Sequence, residues 1–136
     1  MAPEIPAPQI PLEHTRTFAS RWSEALAEDG FTQISNFFLR NYHRLEPEPL
    51  THGEAMFVVH LMQHKWDSDA PFPKYETIAK RMGVTPKSVR RYAKSLQDKG
   101  FLRRERRRGT TNRFHLGGLI QALIALKQKL ATLETG

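Results

Sequence analysis

Apolar residues recur along this chain with spacings that change from segment to segment. From about Thr15 to Glu28, Phe18, Trp22 and Leu26 fall every four residues with Ala19 and Ala25 beside them. That spacing predicts one apolar face of a helix, and Asp29-Gly30 ends it. Phe31 to Ser35 reads as a short extended piece. Asn36 reads as the cap of a short helix carrying Phe37, Phe38, Leu39 and Tyr42, and Glu46-Pro47-Glu48-Pro49 breaks that helix as a linker. Upstream, residues 1–13 hold four prolines and little periodicity, the composition of a disordered arm.

Thr51 opens the best-marked helix. Thr51 and Glu54 have the S/T-x-x-E spacing of a capping box, in which each side chain satisfies an orphan amide of the first turn. Ala55, Val58, Val59, Met62 and Trp66 predict its core stripe, which Phe57 and Leu61 widen. Asp67-Ser68-Asp69 ends it, and Pro71-Phe72-Pro73 makes a rigid turn.

A pair of helices follows. Lys74 to Met82 predicts a short helix with Ile78, Ala79 and Met82 inward, and Gly83 supplies the left-handed turn that ends it. Val84 plugs the turn, Thr85 caps the next helix and Pro86 occupies its first position, where a missing N–H does no harm. That second helix runs to Lys99 and stops at Gly100, which makes the pair a helix-turn-helix. At ~100° per residue, Val89, Tyr92, Ala93 and Leu96 share one side. Lys87, Arg91, Lys94 and Asp98 lie opposite, flanked by Ser88 and Arg90. Beyond it, Phe101 to Arg108 predicts a strand, Gly109-Thr110-Thr111 a turn, and Asn112 to Leu116 a return strand with Phe114 and Leu116 inward.

Charge sharpens this pattern. The chain has 136 residues and a net charge of +7. The segment from Lys74 to Arg113 holds fourteen cations against Glu76, Asp98 and Glu105, a net +11 that leaves −4 for the remainder. A concentrated positive field on an acidic body points to a polyanion, because a merely solubilising surface interleaves both signs. A cationic face on the second helix suits the major groove, where Arg and Lys donate to guanine edges or to phosphates. Arg106, Arg107 and Arg108 gather near the hairpin tip. Their mutual repulsion serves no packing purpose, whereas a phosphate backbone or a narrow minor groove rewards it. The DNA-binding candidates are therefore Thr85, Lys87, Ser88, Arg90, Arg91, Lys94, Arg106, Arg107, Arg108 and Arg113.

The run FPKYETIAKRMGVTPKSVRRYAKSLQDKGFLRR resembles the winged helix-turn-helix of plasmid and phage replication initiators and DnaD-like primosome proteins. The upstream GFTQISNFFLR and LTHGEAMFVVHLM resemble the same group, so the likeness spans about residues 30–116. GntR-type repressors carry a similar run from the proline through the wing, but a complete GntR-type regulator with a ligand-binding domain is not expected. The resemblance implies duplex DNA binding in replication initiation or transcription regulation. One departure is Lys74, where these families usually carry a capping serine, so a firm helix start and a phosphate contact from that turn are not expected.

Other signals are weaker. His60 and His64 stand at i and i+4 on the central helix, but no H-E-x-x-H and no third ligand accompany them, so no metal is expected. Glu46, Glu48, Asp67 and Asp69 lie in turns whose chemistry explains them, no phosphate-binding glycine loop or nucleophile setting is present, and neither an enzyme nor a cofactor is expected. The chain has no cysteine, which excludes disulfides and thiolate metal sites and fits a reducing cytoplasm. No apolar run approaches the ~18 residues of a membrane span.

Gly117-Gly118 separates the wing from a last helix, about Leu119 to Glu134. Leu119, Leu123, Leu126, Leu130 and Leu133 alternate steps of four and three there, an a/d seam widened by Ile120 and Ile124. Two readings stay open: the helix packs on its own domain, against the helix of Phe18 and Trp22, or the seam pairs with a second copy or another protein. The expected architecture is a mainly α winged helix-turn-helix with a two-stranded basic wing and helical extensions at both ends. It divides into an arm (1–13), an N-terminal helical extension (14–50), the DNA-binding domain (51–116) and a C-terminal helix (117–136). The rival reading is a protein-docking winged helix in a larger assembly, which would need neither the arginine tip nor the cationic helix face.

Overall fold

The computed structural model describes residues 12–63, 74–105 and 113–135. Seven α-helices are defined among them: α1 (Leu12–Arg21), α2 (Glu24–Ala27), α3 (Asn36–Asn41), α4 (His52–Met62), α5 (Tyr75–Met82), α6 (Pro86–Asp98) and α7 (Gly117–Thr135). A 3-10 turn, Tyr42–Arg44, extends α3. Strands β1 (Arg103–Glu105) and β2 (Arg113–His115) pair antiparallel, with Arg104 opposite Phe114. The protein is mainly helical, with a two-stranded hairpin after the helix-turn-helix: a winged helix with helical extensions.

The capping box at α4 is complete. Thr51 Oγ1 accepts from the Glu54 amide at 3.1 Å, and the Glu54 carboxylate accepts from the Thr51 amide at 2.8 Å. The depth order along α4 differs from the predicted stripe. Phe57 and Leu61 are among its most buried residues, whereas Val59 and Met62 are only partly covered. The reason is that α5 and α6 both pack on α4 and on each other, so α4 is covered over more than one stripe. Trp66 lies outside the described residues. The core continues through Ile78 and Ala79 of α5, Val89, Ala93 and Leu96 of α6, and Phe101, Leu102, Phe114 and Leu116 around the hairpin. Phe38, Leu45 and Leu50, upstream of α4, belong to the same core.

The N-terminal region departs from the expectation of one helix from Thr15 to Glu28. Helix α1 starts at Leu12 and stops at Arg21; Ser23 then caps α2, its Oγ accepting from the Leu26 amide at 3.1 Å. A serine that can cap competes with its own place inside a helix, and here capping wins. The break scatters the expected face: Trp22 is 68 % exposed and Leu26 48 % exposed. Phe18 stacks on Phe31 at 4.7 Å and on Trp22 at 6.1 Å, a small aromatic cluster apart from the main core. Ser35, not Asn36, caps α3, accepting from the Phe38 amide at 3.3 Å.

Helix α7 packs within its own chain, on the main core. Leu119 and Leu126 are buried in the main core, and Leu123 and Leu130 lean on it. Lys129 pairs with Glu46 in the turn before α4. Gly117 and Gly118 form the first turn of α7 rather than a spacer. Gly118 is glycine for a steric reason: a Cβ there would stand 2.1 Å from the Gly100 carbonyl oxygen. That approach lets the Leu119 amide reach the Phe101 carbonyl at 3.2 Å.

Candidate nucleic-acid interface

The turn between α5 and α6 is fixed by local chemistry. Gly83 takes φ +73°, a left-handed conformation that a side chain would strain, and the Val84 amide returns to the Ala79 carbonyl at 3.0 Å. Thr85 caps α6, its Oγ1 accepting from the Ser88 amide at 3.1 Å and donating to Ser88 Oγ at 3.0 Å. Pro86 follows at the first helical position. Lys74 caps α5 without a side-chain hydrogen bond, as expected of a lysine there.

Burial divides α6 as its periodicity predicts. Val89, Ala93 and Leu96 are buried, while Lys87, Arg90, Arg91, Lys94 and Asp98 are exposed. The cations differ in their surroundings. Arg90 lies 3.7 Å from Glu76 of α5, and Lys94 lies 3.0 Å from Asp98 one turn on. Arg91 stands 6.0 Å from the centre of the Tyr92 ring. Tyr92 itself turns toward α4, where its ring would lie 2.7 Å from a Cβ at Gly53, and it packs beside Phe57 at 6.4 Å.

The hairpin adds two faces. On the inner one, Phe114 stacks on Tyr75 at 5.9 Å and Arg104 Nη1 donates to the Tyr75 hydroxyl at 3.3 Å. Arg103, Glu105, Arg113 and His115 alternate onto the outer face. There His115 Nε2 donates to Glu105 at 2.8 Å. That bond is the largest influence and outweighs the opposing desolvation, and with the lesser pulls of the His115, Arg113 and Arg103 charges it holds the Glu105 carboxyl below its ordinary value. Arg106, Arg107 and Arg108 lie outside the described residues.

One member of the basic segment is turned inward. Lys99 caps the end of α6, and its Nζ donates to the Pro49 carbonyl at 2.8 Å and to both oxygens of Glu54 at 2.9 and 3.1 Å. Its side chain is 10 % exposed and that of Glu54 3 %. Burial pushes the Glu54 carboxyl up, but hydrogen bonds from Ser95, the Thr51 amide and Lys99 together outweigh it and hold the group below its ordinary value. Nothing local marks this pair in the sequence, since its members stand 45 residues apart. Arg104 is different: period-two counting from buried Leu102 puts it on the inner face, and that signal was readable.

Among the described residues, no group of three or more His, Cys, Asp or Glu side chains is placed to hold a metal ion. His60 is half-buried, and burial followed by the Arg81 charge lowers its affinity for a proton; His64 lies outside the described residues. No helix among them is long and apolar enough to cross a membrane.

A family model described as a helix-turn-helix domain matches residues 48–102, from the turn before α4 to the start of the hairpin. The chain carries a helix-turn-helix DNA-binding fold. The matched stretch contains α4, α5 and α6, the three helices that share the core, and the hairpin that follows it supplies the wing. No curated protein matches the chain.

Proposed function

We propose that the protein binds duplex DNA sequence-specifically and without catalysis, in replication initiation of the plasmid or phage type or in transcription regulation. The observation that carries this reading is the division of α6. Its apolar side is locked into the core by Val89, Ala93 and Leu96, so its cationic side is held outward as a rigid unit beside a basic hairpin. A helix presented in this way lays Lys87 and Arg91 into a major groove, with base edges in reach of the first turns. The wing cations, Arg103 and Arg113 together with Arg106, Arg107 and Arg108 beyond the described strands, follow the adjacent backbone.

Titration with a random-sequence duplex at several salt concentrations, followed by selection of bound fragments, tests the reading. A steep fall of log affinity with log salt and enrichment of one sequence are expected. Binding that ignores salt, or no binding at all, would leave the protein-docking adaptor as the better account.

A further inference from the structure

The flank of α6 nearest the hairpin carries Arg90, Lys94 and Gln97, spaced four and three residues apart along one stripe. With Tyr75 at the start of α5 and Arg104 of β1 these side chains line a polar niche of about 360 Å³. Three of the five are cations, and no carboxylate lines the niche itself. Resting on the DNA-binding reading above, we infer that this niche takes one phosphate of the duplex backbone, and that Glu76 and Asp98 hold two of its cations until DNA displaces them.

The donor chemistry fits a phosphodiester. Arg104 donates to the Tyr75 oxygen, which leaves the hydroxyl proton of Tyr75 free to turn toward an anion. Gln97 uses one amide proton on the Ala93 carbonyl and keeps its second. Arg90 and Lys94 bring charge from the helix, and Arg104 brings it from the hairpin, so an anion held here ties the wing to the recognition helix. The Tyr75 ring stacked on Phe114 fixes the floor.

The carboxylates explain how the free protein tolerates the cluster. Glu76 lies 3.7 Å from Arg90, and Asp98 lies 3.0 Å from Lys94. Every one of these four side chains is more than half exposed. Exposed pairs of this kind are weak and exchange readily for a better anion. The third acid of the basic segment, Glu105, is paired on the other face of the hairpin with His115 and does not enter the niche.

The test uses the full chain and a random-sequence duplex, with affinity measured across a salt series. Arg104→Gln should weaken binding and flatten the plot of log affinity against log salt by about 0.9, one phosphate contact. Glu76→Gln and Asp98→Asn should each bind roughly 1.5- to 5-fold tighter, the equivalent of an exposed pair. Glu28→Gln, which removes the same charge outside the basic segment, should bind as the wild type does. Tyr75→Phe keeps the ring on Phe114 and removes only the hydroxyl; it should bind roughly 2- to 10-fold more weakly, and it decides the matter if Arg104→Gln unfolds the hairpin. A wild-type chain that binds with a steep salt slope, beside an Arg104→Gln or Tyr75→Phe chain with unchanged affinity and slope, overturns the niche and leaves DNA binding standing. Equal tightening by Glu28→Gln and Glu76→Gln would likewise reduce the acids to general charge. Loss of salt dependence in the wild type would instead overturn the underlying reading.

Discussion

Lys99 belongs to the most basic third of the chain, yet its charge points into the molecule. It joins the end of α6 to the beginning of α4 through Glu54 and the Pro49 carbonyl, and so helps set the angle at which α6 leaves the core. Glu54→Gln should lower stability by about 1–3 kcal/mol, because Lys99 would keep one neutral acceptor in place of a carboxylate. The pH dependence follows from the lowered Glu54 pKa. A depressed carboxylate stabilises the fold above its ordinary value of 4.5, and that stabilisation disappears as pH falls through the lower folded-state value. Thermal melting of wild type and Glu54→Gln should therefore differ at pH 7 and converge in acid; a difference that persists unchanged at low pH would refute the assignment. Gly118 is the second decisive residue. Backbone faces backbone there, with no side chain to yield, so Gly118→Ala should cost about 1–3 kcal/mol and loosen the start of α7. A melting temperature equal to wild type would show that α7 shifts freely. Neither residue announced itself in the sequence: a Lys before a Gly and a Gly-Gly pair read as surface and spacer until the distant chain that meets them is in place.

At the scale of elements, the features legible beforehand are those whose cause is local. Thr51 with Glu54, Gly83, and Thr85 with Pro86 each act within one turn, and each does what its spacing predicts. The α6 faces were equally legible, because burial there follows a single helical period. Where two local solutions compete, pattern alone chose badly: Ser23 divided an apparently continuous helix, and Ser35 took the cap assigned to Asn36. The outer face of α6 leads to a prediction of its own. Arg91 and Lys87 carry no ion-pair partner among the described contacts of α6, in contrast to Arg90 and Lys94 with their carboxylates. Arg91→Ala should therefore reduce binding to a selected site by ~1–3 kcal/mol more than binding to random duplex, as expected for a base-edge contact. Equal losses on both would reassign Arg91 to phosphate.

The whole molecule turns on where α7 belongs. Its leucine seam was compatible with packing at home or pairing with a second copy, since an a/d repeat states only that one side is apolar. The fold divides the seam along its length. Leu119 and Leu126 are in the core, Leu123 and Leu130 are partly covered by it, and Leu133 is 68 % exposed. Most of the seam therefore serves the chain that carries it, with Leu119 and Leu126 in the core. Leu126→Glu would place a carboxylate without a partner in that core and should cost about 3–5 kcal/mol, enough to unfold a marginal domain. Leu133→Glu, on the open last turn, should change stability by no more than about 0.5 kcal/mol. Melting of the two variants side by side separates the two ends of the helix. Sedimentation with and without duplex then asks whether that open end pairs with another copy: if it does, Leu133→Glu should stay folded, sediment as a monomer and bind one half-site weakly. A Leu126→Glu chain that melts like wild type would contradict the packing of α7, whatever its oligomeric state.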